Sequence, residues 1–141
     1  MAIKGTDHIV VLVADMEEAI VNWSRMGMSL THRVIHERAG IHQAFFSLSD
    51  NTFIELVAPC GETSPLTDII NAQGEGIHLL ALETDDWDST LDSLEQQGVE
   101  LQGRDTPQAV IHPRSTHGVR IQLWPDDRPH RWKEHPSEAG N

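Results

Sequence analysis

The sequence predicts an α+β protein built from two βαβββ modules, and three observations carry that prediction. A histidine twice opens an apolar, β-branched run, His8 in DHIVVLVAD and His78 in IHLLALETD, and an aspartate follows seven residues later (Asp15, Asp85). A helical pattern comes after each aspartate and stops at a glycine, Gly27 or Gly98. Each copy closes on an apolar-polar-apolar triplet, Ile54-Glu55-Leu56 or Ile121-Gln122-Leu123, with a proline soon after. Self-similarity over such a length marks a duplicated structural unit.

The elements follow in order. Residues 7–14 read as a strand, too short and too branched for a helix. Asp15 is a good helix N-cap, and Glu17 and Glu18 suit the positive end of the helix dipole. Residues 28–35 and 41–48 are strands about the Ala39-Gly40 turn, and the Ser49–Thr52 turn leads to a partner strand at 53–58. The connector PCGETSP precedes a short helix at about 66–71 and a Gly74-Glu75-Gly76 turn. The second copy repeats the order: a strand at 77–83, and a helix capped by Asp85 or Asp86 with Trp87, Leu91 and Leu94 on one face. Strands at 99–102, 108–112 and 119–124 complete it. The modules thus span about 3–60 and 74–125 of a single domain at 1–125. The polar tail 126–141 has no periodicity and is expected to be irregular or frayed; its His130 and His135 lack ligand spacing.

Composition narrows the functions. The 141 residues carry a formal net charge of -12. That excludes a broad nucleic-acid footprint or an anionic membrane surface as partner. A local cluster among Lys4, Arg33, Arg38, Arg114 and Arg120 could still hold a small anion. No apolar run is long enough to span a bilayer, and MAIKGTDH has no signal-peptide core, so a cytoplasmic protein is expected. The single cysteine, Cys60, leaves no intrachain disulfide and reads as a loop thiol.

The repeat also points to a metal. Two related copies could bring two imidazoles, a carboxylate and an amide to one point: His8, Glu55, His78 and Gln122. A lone strand histidine is ordinarily structural, but two at equivalent repeat positions favour ligation. Glu55 alone would read as a solvent-facing residue on an edge strand. Gln122 is the weakest donor, since an amide oxygen binds a divalent ion less well than a carboxylate. Trp23 and Trp87, on corresponding helices, read as core.

Asp7-His8-Ile9, Ser64-Pro65-Leu66 through Gly74-Glu75-Gly76-Ile77-His78, His112-Pro113-Arg114-Ser115 and Gly118 through Leu123 together resemble the vicinal oxygen chelate superfamily. This is the group of glyoxalase I, extradiol dioxygenases and fosfomycin-resistance proteins. Within it the chain is most similar to the methylmalonyl-CoA epimerases, over about residues 3–125. The resemblance implies a glyoxalase-like fold, its two modules curving into an open half-barrel cleft around one divalent ion (Co, Ni, Zn, Mn or Fe). It implies ligands on the first and last strands of each module, at His8, Glu55, His78 and Gln122. The epimerases carry glutamine at the place of Glu55 and glutamate at that of Gln122, so the two are exchanged here. A further epimerase carboxylate falls at Gln43, and the second histidine of their His-His pair is Leu79.

An ion so held stabilises an enolate and makes an α-proton removable. Glutamine cannot accept that proton. Glu55 is the remaining carboxylate in the expected ligand set, a ligand that could double as catalytic base, as the resemblance to glyoxalase I suggests. Gln43 and Arg114 are candidate substrate contacts, although Arg114 also reads as solvated surface. His42 neighbours Gln43 on a strand and would face the other way. The expected function is a metal-dependent isomerase, epimerase or lyase acting on a small carbonyl compound or an acyl-CoA thioester. A non-catalytic small-molecule-binding member is the alternative, and an iron-dependent dioxygenase a third reading. The superfamily resemblance and the exposed sheet edges also imply a homodimer.

Overall fold

The elements run β1 (Ile3–Leu12), α1 (Met16–Ser24), β2 (Leu30–His36), β3 (Ile41–Ser47), β4 (Phe53–Pro59), α2 (Pro65–Gln73), β5 (Gly76–Thr84), α3 (Trp87–Gln96), β6 (Leu101–Gln102), β7 (Val110–Ile111), β8 (Ile121–Pro125) and α4 (Arg131–Glu134). The computed structural model describes residues 2–134. Its strands form one mixed sheet in the order β2-β3-β4-β1-β5-β8-β7-β6. β5 and β8 are parallel; β2–β3, β3–β4, β6–β7 and β7–β8 are antiparallel. This is the expected α+β class. Contacts divide the chain into two units, one joining the start of the chain through Ile9 to Leu79–Pro129, the other joining Val10–His78 to His130 and beyond. None of the described helices is long and apolar enough to cross a membrane.

In the second unit, local chemistry sets the helix starts. The Asp15 carboxylate accepts from the Glu18 N–H at 3.1 Å, so one end-of-helix donor is satisfied. Ser64 accepts from the Leu66 N–H, and Pro65 takes the first helical position, where its missing donor costs nothing. β3 carries three buried residues in a row, Ala44, Phe45 and Phe46, so this sheet is covered on both faces. Alternation gives one face Arg33, His42, Ala44, Phe46, Leu56 and Ala58. α1 packs on β3 and β4 there, and its Glu17 pairs with Arg33.

The other face carries His32, Val34, His36, Gln43, Phe45, Phe53, Glu55 and Val57. Trp132 of α4 covers part of it, stacked on Phe45 at 4.6 Å between ring centroids and edge-on to Phe53 at 5.1 Å. The start of the tail is therefore not frayed: Trp132 supplies the apolar anchor that its polar neighbours lack. His135 lies outside the described residues. The two buried nitrogens without a hydrogen bond among the described residues, His32 Nε2 and Trp132 Nε1, belong to this cluster.

The first unit packs α3 on β6–β8 through Leu91, Ala109, Ile111 and Leu123. Its last strands are shorter than expected, with β6 and β7 two residues each. Gly103 turns the chain at a φ of 67°, and the Gln108 N–H bonds the Thr106 hydroxyl rather than a partner strand. Pro107 and Pro113 bracket β7 and offer no ladder donors.

Candidate metal and substrate site

Each sequence-predicted ligand lies on the strand expected for it: His8 on β1, Glu55 on β4, His78 on β5 and Gln122 on β8. Within the first unit, His8 is 3% exposed. Its Nδ1 lies 2.6 Å from the Asp7 carboxylate, and its ring meets Trp124 edge-on. An Nδ1–H donated to the Asp7 carboxylate fixes the tautomer of the His8 ring. Asp7 carries no role that its place in the Asp7-His8-Ile9 motif alone would reveal.

Gln122 sits opposite Ala81 in the parallel β5–β8 pair. Paired residues share a face and side chains alternate along a strand, so Leu79 also takes the Gln122 side of β5. The same alternation turns His78, one residue earlier, to the opposite side of β5. A strand that keeps its pleat therefore offers Leu79, an apolar side chain, where the fourth donor is expected.

Within the second unit the polar side chains connect. The Gln43 amide donates to a Glu55 carboxylate oxygen at 2.9 Å, and Gln43 Oε1 lies 2.8 Å from His36 Nε2. Register explains the line. Val34 faces Gln43, Gln43 faces Val57 and Phe45 faces Glu55, so His36, Gln43 and Glu55 step diagonally across three strands on one face. His42 points to the α1 face, where its Nε2 accepts from Arg33. Burial and then the Arg33 charge hold the His42 imidazole below its ordinary pKa, and the Arg33 bond holds Glu17 below its own. Arg114 is an exposed residue whose Nε bonds the Glu100 carboxylate at 3.1 Å. His36 has no motif of its own in the sequence; only the hairpin register about the Ala39-Gly40 turn brings it beside Gln43.

Comparison with known proteins identifies the family. Residues 7–115 match the Glyoxalase/Bleomycin resistance protein/Dioxygenase superfamily. The chain is 27% identical over 133 residues to the mitochondrial methylmalonyl-CoA epimerase of Dictyostelium discoideum, covering 87% of this chain and 79% of the relative. It is 31% identical to the structure of methylmalonyl-CoA epimerase from Mycobacterium tuberculosis, with a TM-score of 0.74, covering 89% of this chain and 90% of the other. A hypothetical protein of Bacillus halodurans shares the fold at a TM-score of 0.78 and 24% identity, covering 89% of this chain and 96% of its own. The chain belongs to the glyoxalase, bleomycin resistance protein and dioxygenase superfamily.

Proposed function

We propose that this protein is a divalent-metal-dependent isomerase, epimerase or lyase acting on a small carbonyl compound or an acyl-CoA thioester. The observation that carries the reading is the Gln43–Glu55 pair, a carboxylate held by an amide donor on a sheet face. His8, Glu55 and Gln122 are the proposed donors to the ion. His78 completes the expected set only if β5 departs from its pleat. The Asp7 bond to His8 Nδ1 supports the fit, because metal-bound imidazoles ordinarily donate their other N–H to a carboxylate or carbonyl. A divalent ion bound there supplies Lewis-acid polarisation of a substrate carbonyl and stabilises the enolate. Glu55 takes the α-proton. Gln43 has no proton-accepting group of suitable pKa, so its part is to hold one Glu55 oxygen. The relatives named methylmalonyl-CoA epimerases make an acyl-CoA thioester the first substrate to try.

The test is exchange of an α-proton with solvent deuterium across acyl-CoA and hemithioacetal substrates, with metal content measured on the same sample. Glu55→Gln should abolish exchange; in a non-catalytic binding protein it should leave ligand binding nearly unchanged. No exchange with any of Co, Ni, Zn, Mn or Fe supplied would refute the reading. The second reading, a binding protein without chemistry, is favoured by amides at Gln43 and Gln122 and by Leu79 on the Gln122 side of β5. Ligand affinity unchanged by a chelator would support it.

A further inference from the structure

We propose that His36 is a positioning residue for Glu55, acting through the Gln43 amide. The proposal rests on Glu55 being the base, and it concerns three residues of one unit. An ionised carboxylate only accepts hydrogen bonds, so the Gln43 group that meets Glu55 is the NH2. Gln43 Oε1 then faces His36, and His36 Nε2 must carry the proton that bonds it at 2.8 Å. The three side chains form a chain with one direction: His36 N–H to Gln43 oxygen, Gln43 N–H to Glu55 oxygen.

Glutamine has three side-chain torsions and an amide whose two ends exchange roles on a half-turn. Without a donor at its oxygen, nothing in the Gln43–Glu55 contact itself keeps the amide from swinging off the carboxylate. The imidazole supplies that donor from a fixed place. His36 ends β2, pairs across to Ile41, and is tied there by a tight turn in which the Gly40 N–H bonds the Glu37 carbonyl at 3.2 Å. A Cβ on Gly40 would approach the Ser64 Cα to 2.8 Å, so this turn sits close against the start of α2. His36 is exposed, which separates its role from core packing.

The direct test is nuclear magnetic resonance of the Gln43 side-chain amide in the full chain, identified by its loss in Gln43→Met. His36→Ala should collapse the separation of the two amide protons and speed their exchange with water, while backbone amides outside β2 and β3 stay in place. His36→Gln, which restores a donor, should recover part of the protection. In the α-proton exchange assay His36→Ala should lower kcat by about ten-fold, the scale on which supporting partners act, with KM little changed. A Gln43 amide unmoved by His36→Ala overturns the proposal, as does a loss confined to KM. If His36→Ala fails to fold, His36→Phe serves the same comparison, and an unmoved amide there overturns it equally. The amide readout needs neither metal nor substrate, so failure of the catalytic reading leaves a result of its own.

Discussion

Trp132 holds the start of the tail to the face that carries Glu55, and its removal can be costed. The side chain is 9% exposed and touches Phe45, Phe53 and His32. Burying an aromatic side chain removes roughly 200 Å² from water, worth about 5 kcal/mol at 25 cal/mol per Å². A denatured chain that already buries part of that surface trims the figure to about 3–4 kcal/mol. The indole N–H has no hydrogen-bond partner among the described residues, and that desolvation offsets a further ~1 kcal/mol. Trp132→Ala should therefore cost about 2–3 kcal/mol, near the lower end of large-to-small core substitutions. Urea unfolding followed by far-ultraviolet circular dichroism should show a lower midpoint with an unchanged slope. Trp132→Phe should recover most of the loss. A change below about 1 kcal/mol, with Phe45 and Phe53 still protected, would show that α4 adds little to this core and refute the reasoning.

Two further predictions follow from titration and register. Burial lowers the His32 pKa from 6.5, and burial together with Arg33 lowers that of His42. Both groups bind fewer protons folded than unfolded, so their stability contribution is intact above about pH 6.5 and is lost as pH falls below it. Melting temperatures between pH 7.5 and 5.5 should fall, and His32→Phe should flatten the slope; a slope unchanged in that variant counts against the assignment. For the metal, calorimetric titration should show His8→Ala weakening binding by ten-fold or more, His78→Ala changing it by less than about three-fold, and Leu79→His strengthening it. A loss in His78→Ala equal to that in His8→Ala would mean that β5 breaks alternation.

Elements governed by local chemistry were legible in the sequence. Asp15, and Ser64 with Pro65, start helices because their own atoms satisfy or spare end-of-helix donors. The membership of β1, β4, β5 and β8 followed from apolar runs, and with it the strand carrying each expected ligand. The rest depended on chain breakers beside an apolar run or on partners distant in sequence. β6 and β7 are two residues each, shorter than their apolar runs, because Gly103, Pro107 and Pro113 interrupt the ladder. α4 is four residues long, too short to persist on propensity alone, and exists through a Trp132 stack that periodicity does not report. His36 and Leu79 gain meaning only from register, since one residue of slip along a strand exchanges the face of every side chain.

The exchange of glutamate and glutamine that the sequence resemblance implies bears on the stereochemistry of the proposed reaction. Epimerisation removes a proton from one face of a carbon and returns one to the other, and so ordinarily needs a base on each side. On the proposed reading Glu55 is the proton acceptor of the second unit, and the other strand position predicted for a ligand carboxylate is Gln122. Gln43, which the sequence resemblance sets at a carboxylate position, donates to Glu55. It holds that carboxylate instead of opposing it. A single base that takes and returns a proton on one side of an enolate moves it between neighbouring atoms without inverting a centre. Within the proposed class, the Gln43–Glu55 pair therefore favours a same-face proton shift of the glyoxalase type over inversion at one carbon.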